Sequence, residues 1–266
     1  MAAQQQHTSL LSQAVQCLWC PEKLVAEGNK AVVAIGKINA RRGTGVKKGS
    51  GFCVAEVEGG RLVTNSHHVL LDCRQRLDVG TPRQVEVGVG ENPIVWGLFK
   101  GEVLNYSPTP RAPGPYMPDH RAGKPKPWLD LALLYVPGLS SPCLRASCYA
   151  PAPGMEIAIL GYGEQNASDA LTSTFGEIAC TRYDARIGCN VFDIQGDMLF
   201  GHSGGPVINR RDGGVMGVCI SSQTEPAPAT VRGQPTNIRV PIAVGGLHTV
   251  IPIAELASLL GVRLTA

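Results

Sequence analysis

The chain has 266 residues, a formal net charge of +3 and 44% hydrophobic residues. So small a charge gives no electrostatic case for nucleic acid or an anionic membrane as partner, and no stretch reaches the roughly 18 consecutive apolar residues of a membrane span. The apolar content supports a full core, and 32 glycines and 20 prolines punctuate it in the manner of short strands joined by tight turns.

The first twenty residues, MAAQQQHTSLLSQAVQCLWC, lack the basic region and long apolar core of a signal peptide. Together with an odd count of nine cysteines this predicts an intracellular, cytoplasmic chain whose thiols stay reduced. Within that segment Leu10, Leu11, Ala14, Val15 and Leu18 fall at helical spacing and predict a short amphipathic helix over 7–19, in a lead-in spanning 1–29.

Strand-like runs follow at 30–38, 51–57, 61–65, 83–89 and 96–104, then at 130–136, 156–162, 173–181, 190–195, 206–210 and 214–221. Glu58-Gly59-Gly60 and Asp212-Gly213-Gly214 read as hairpin turns. No strand–helix alternation appears, which argues against a doubly wound α/β fold and for antiparallel barrels or a sandwich. IPIAELASLLGV, 251–262, predicts a closing helix. The segment 106–128 holds seven prolines and no apolar period, and reads as a long surface insertion.

GHSGGPVIN, 201–209, surrounds one serine with glycines and a proline. Such backbone freedom serves a hydroxyl presented on a tight turn, or N–H groups that converge on an anion. A phosphate loop would end in Gly-Lys-Ser/Thr and open a helix; this one has no lysine and leads into a strand. A nucleophilic serine needs a base and a group that orients the base. RLVTNSHHVL, 61–70, offers histidine directly after a strand, and WLDLALLYV, 128–136, offers Asp130 between two leucines. A carboxylate buried there requires a donor, and an imidazole N–H is one. The order His, Asp, Ser is that of chymotrypsin-type enzymes. GxSxG also fits lipases and esterases, but the partner order and the strand after Ser203 contradict that reading.

Gly49-Ser50-Gly51-Phe52, Thr64-Asn65-Ser66-His67, Asp130-Leu131-Ala132-Leu133-Leu134 and Gly201-His202-Ser203-Gly204-Gly205-Pro206 together resemble the trypsin-fold serine peptidases, most closely the HtrA/Deg branch. PGMEIAILGYG, LTSTFGEIA and HTVIPIAEL resemble further segments of that branch, so the likeness covers roughly 30–260. It implies an all-β fold of two antiparallel six-stranded barrels with short N- and C-terminal helices. The first barrel would span about 30–137, carrying the insertion 106–128, and the second about 150–250, followed by the helix 251–262.

The resemblance implies serine endopeptidase activity on protein or peptide substrates, with no cofactor and no metal. His67, three residues after the threonine, would be the base, and His68 would take a position where the family often has valine. Asp130 would orient the base and Ser203 would attack, with the N–H groups of Gly201 and Ser203 as oxyanion hole. His202 stands where secreted relatives carry the aspartate that pairs with a new N-terminus, so that activation route is not expected. No PDZ-like region follows, so peptide-regulated behaviour is not expected either.

Counting six positions back from Ser203 reaches Asp197, the expected floor of the S1 pocket, with Ile220, Ser221 and Ser222 as its wall. A desolvated Asp197 would select Arg or Lys at P1; Asp197 as a solvated turn residue beside Gly196 is the open alternative. Cys53 and Cys73 bracket His67 as a disulfide does in secreted relatives, but are expected to be thiols. Cys17-Leu-Trp-Cys20 lacks a matching second pair for zinc. The competing function is a peptide-binding module: the same fold, catalytically weak or inactive.

Overall fold

The computed structural model describes residues 21–39, 44–73, 84–88, 99–107, 129–163, 171–185, 187–199, 201–231 and 234–260. The helix expected at 7–19, Cys17, Cys20 and most of the proline-rich segment lie outside these residues. Helix α1 (Pro21–Ala31) leads into β1 (Val32–Asn39), β2 (Thr44–Val57) and β3 (Gly60–Ser66). The short helix α2 (His67–Asp72) follows directly, then β4 (Gln84–Gly88), β5 (Phe99–Ser107) and β6 (Leu131–Pro137). These strands close into a barrel in the order β1-β2-β3-β6-β5-β4.

The second half supplies β7 (Glu156–Gly161), β8 (Thr172–Asp184), β9 (Cys189–Gly196), β10 (Pro206–Asn209), β11 (Val215–Val231) and β12 (Gln234–Pro252), then helix α3 (Ile253–Leu260). They close in the order β10-β11-β12-β9-β8-β7. Every strand pairing is antiparallel, so the fold is the expected double barrel with short flanking helices. Both predicted hairpin turns join the strands they were assigned to, β2 to β3 and β10 to β11.

Period-two alternation decides where each strand's side chains go. In β6, Ala132, Leu134 and Val136 fill the first barrel, while Leu131 and Leu133 point the other way into a core shared with the second barrel. In β7, Ile157 and Ile159 fill the second barrel, while Ala158 and Leu160 join the shared core. Strands with both faces buried read as unbroken apolar runs, which is why LALLYV and IAIL carry no polar alternation. Burying such a side chain contributes about 1.5–3 kcal/mol. The seam between barrels is therefore a packed core, and the turns at its rim come together from both halves.

The connection between barrels is fastened to the β10–β11 hairpin. Asp212 accepts from Gly214 N (2.9 Å), Cys148 N (3.0 Å) and Ser147 Oγ (3.0 Å), and Arg145 donates to its backbone carbonyl. Asn209 Nδ2 donates to Ser147 Oγ at 3.1 Å. These bonds hold the hairpin that follows the GHSGGP turn.

Candidate active site

β3 and β6 are neighbours with Ser66 opposite Leu131, so the residues beyond Ser66 meet the residue before Leu131. Asp130 is that residue. It is 2% exposed and adopts φ 54°, a left-handed conformation that aspartate tolerates better than most side chains. Its backbone carbonyl accepts the His67 N–H at 2.9 Å. Its carboxylate accepts twice from the next residue: Oδ1 from the His68 backbone N–H at 2.8 Å, and Oδ2 from His68 Nδ1 at 2.6 Å. Strain at Asp130 is thus offset by three hydrogen bonds to the first turn of α2.

The imidazole brought to Asp130 is that of His68, not of His67. The contact expected for His67, three residues after Thr64, is thus made by the next residue, the second of α2. His67 is fully buried and its ring stacks on Tyr106 of β5, with centroids 4.5 Å apart and planes 9° apart. The sequence held a signal for the other register: valine follows His68, at Val69, and an apolar residue follows the base in the family's block.

The nucleophile turn is shaped by glycine. Gly201 has φ 98° and Gly204 φ 85°, both in the left-handed region. A Cβ on Gly204 would collide with the Ser50 carbonyl and lie 2.8 Å from the Ser66 nitrogen, so only glycine lets the turn press against the first barrel. Ser203 is half-buried, and its carbonyl accepts the Ser50 N–H at 2.9 Å. Cys219 of β11 offers one carbonyl to two donors, Gly204 N at 2.7 Å and Ser66 Oγ at 3.1 Å. Ser203's turn and the strand end that presents His68 are therefore tied to the same atom.

The other N–H groups of the turn are engaged: His202 donates to Leu199 O (3.1 Å), Gly204 to Cys219 O and Gly205 to His202 O (2.8 Å). Among the described residues, the N–H groups of Gly201 and Ser203 have no such backbone acceptor. They are the two expected as oxyanion donors.

His202 is fully buried. Its Nε2 lies 2.7 Å from Thr172 Oγ1, which in turn donates to Gly161 O at 2.9 Å. Burial, with a smaller contribution from His248, pushes its pKa down to about 4. The ring is wedged against Gly161, where a Cβ would lie 2.9 Å from it.

Of the two readings left open for Asp197, its exposure agrees with the solvated one, beside Gly196. β9 ends at Gly196, whose carbonyl is bonded by His248 Nε2 at 2.9 Å, and the chain turns there with Asp197 facing water. The next residue, Met198, packs inward with its sulfur 3.1 Å from Cys219 Sγ. Ile220 is buried in the shared core between the barrels. Ser221 and Ser222 belong to β11, opposite Thr249 and His248; their side chains lie outside the described residues.

Among the described residues no group of three or more His, Cys, Asp and Glu side chains is placed to hold a metal ion, and no helix is long and apolar enough to cross a membrane.

The trypsin-like peptidase domain family matches residues 49–218. No curated protein matches the chain. Among solved structures, the active form of the Rv3671c protease from M. tuberculosis is similar at 22% identity and a TM-score of 0.58, covering 91% of this chain and 85% of that one. The inactive form of the same protease matches at 22% identity and a TM-score of 0.56, with 90% and 91% covered. The serine endoprotease from Yersinia pestis matches at 18% identity and a TM-score of 0.54, covering 91% of this chain and 66% of that one. At these identities the neighbours speak for the fold; with the family match over most of the seam-forming sequence, the chain belongs to the trypsin-like peptidase domain family.

Proposed function

We propose that this protein is a serine endopeptidase acting on protein or peptide substrates, with Ser203 as nucleophile, His68 as general base and Asp130 as the group that orients it. The observation that carries the reading is the paired contact of Asp130 with His68, through Nδ1 and through the backbone N–H. An ionised carboxylate only accepts, so it keeps the proton on Nδ1 and leaves the Nε2 lone pair as the base.

The Ser203 hydroxyl proton passes to His68 Nε2 as Oγ bonds to the substrate carbonyl carbon. The carbonyl oxygen becomes an oxyanion facing the N–H groups of Gly201 and Ser203, each such donor being worth a factor of about 10² to 10³. The departing amine takes the proton from His68 as the C–N bond breaks, leaving an acyl ester on Ser203. Water, deprotonated by His68, then releases the acid and restores the serine. Asp130 stabilises the transient imidazolium without itself being protonated.

Two narrower readings accompany this one. P1 is a small or medium aliphatic residue, supported by the exposed Asp197, which leaves no desolvated carboxylate before Ser203. The setting is intracellular and reducing, supported by the unpaired thiols of Cys53, Cys143, Cys148, Cys180, Cys189 and Cys219.

The test is covalent. A fluorophosphonate probe is expected to label the protein at Ser203, and Ser203→Ala to abolish labelling without loss of fold. A folded protein that takes no label, yet binds peptides, is the peptide-binding module instead.

A further inference from the structure

We propose that the Ser50 hydroxyl positions the oxyanion turn, so that a side chain of the first barrel sets the geometry of a catalytic element carried by the second. The proposal rests on the peptidase reading above and adds a residue which that reading does not require. Ser50 lies in β2 and is fully buried. Its Oγ donates to Gly201 O at 2.7 Å and accepts the Tyr162 N–H at 2.9 Å. Its own N–H donates to Ser203 O at 2.9 Å. One residue thus holds the carbonyls on both sides of His202.

The reason such a clamp matters is glycine. Gly201 sits at φ 98° with no Cβ to restrict the peptides on either side. A peptide at such a position stays in one orientation only if bonds outside it hold it there. The Gly201–His202 peptide has two: its C=O receives the Ser50 hydroxyl, and its N–H donates to Leu199 O. That plane lies between the two expected oxyanion donors, the N–H groups of Gly201 and Ser203, so a rotation of it would change the angle between them. The hydroxyl itself has one orientation, because its single proton goes to Gly201 O and a lone pair takes the Tyr162 N–H. It also packs closely: a Cβ on Gly161 would lie 2.8 Å from it. Ser50 touches neither the substrate nor the reacting atoms, so it is a positioning residue.

The experiment compares wild type and Ser50→Ala in peptide hydrolysis, inhibition by a peptide boronate that forms a tetrahedral adduct on Ser203, and thermal unfolding. A misdirected oxyanion donor is felt in the transition state and not in the bound substrate. The expected result is a kcat lower by about 10- to 10²-fold with KM within threefold. The boronate Ki is expected to rise by the factor by which kcat/KM falls. An unchanged kcat, or a loss confined to KM, overturns the proposal. If Ser50→Ala does not fold, Ser50→Cys carries the same comparison; failure of both makes Ser50 a folding residue and overturns it too. A wild type that no fluorophosphonate labels overturns the peptidase reading together with Ser50's role, whereas an active Ser50→Ala overturns Ser50's role alone.

Discussion

His68 Nδ1 lies 2.6 Å from Asp130 Oδ2, and the neighbouring ring, His67, lies flat against Tyr106. Two adjacent histidines therefore have different neighbours. His68→Ala is expected to lower kcat by three or more orders of magnitude; the ring is only 12% exposed and its loss takes a donor from the buried Asp130 carboxylate, so stability falls too, by about 1–3 kcal/mol. His67→Ala is expected to cost stability and largely spare activity. It deletes a fully buried ring and its stacking partner's contact, a destabilisation of about 2–4 kcal/mol, while activity per folded molecule stays within about tenfold. Steady-state kinetics and calorimetry on the two variants decide this; exchanged effects would move the base back to His67.

The register at these histidines marks where sequence reasoning stopped. The strands of the double barrel were legible because both barrel interiors and the shared core are built from unbroken apolar runs such as LALLYV. β12 was missed as a strand. Its VPIAVGGLHTV stretch carries a proline and a glycine pair that weaken the local signal, and its pairing with β11 and β9 supplies what propensity does not. Asp130 and Ser203 stood out by their neighbours in the chain. His67 and His68 both follow β3 directly, and what separates them is a contact with Asp130, 62 residues away, that no local pattern carries. Nothing local to Ser50 signals its bond, because its acceptor is 151 residues away.

Acid is expected to weaken the fold through His202. Its pKa in the folded protein is pushed down to about 4 by burial and by His248, against 6.5 for an ordinary histidine. Between those values the unfolded chain binds a proton that the folded protein refuses. Stability is therefore complete above about pH 6.5, falls as pH drops toward 4, and levels off below it. The whole effect is on the order of 3 kcal/mol. His248, also pushed down, chiefly by burial, acts with the same sign. Urea midpoints from pH 4 to 8 should show the slope, and His202→Asn should reduce it; an unchanged slope in that variant would assign the acid lability elsewhere.

Thiol reactivity should divide by burial. Cys53 and Cys219 are buried and their thiols are pushed up to about 12, chiefly by desolvation, so neither forms thiolate near neutral pH. Cys148 and Cys180 are exposed. Iodoacetamide at pH 8 should modify Cys148 and Cys180 in the native protein and reach Cys53 and Cys219 only after denaturation. Reductant should leave the thermal midpoint unchanged. A large fall in midpoint on reduction would reveal a stapling disulfide and remove the case for a reducing compartment.

The last prediction concerns P1. A basic side chain entering the pocket would exchange water for whatever the segment before Ser203 provides. That segment turns Asp197 outward at Gly196 and Met198 inward against Cys219, beside Ile194 and Val250. With Asp197 turned to water and Met198 packed on the second barrel's interior, a guanidinium or ammonium would meet no desolvated carboxylate there, an unfavourable exchange of several kcal/mol. An Ala, Val or Leu side chain gives up only apolar hydration and gains about 25 cal/mol per Å² buried. Cleavage-site profiling on a peptide library is therefore expected to return small or medium aliphatic residues at P1, and Asp197→Ser to leave the profile and kcat/KM within about twofold. Cleavage after Arg or Lys that falls about 10³-fold in Asp197→Ser would instead place that carboxylate against the substrate, and the outward turn at Gly196 would then have to reverse when substrate binds.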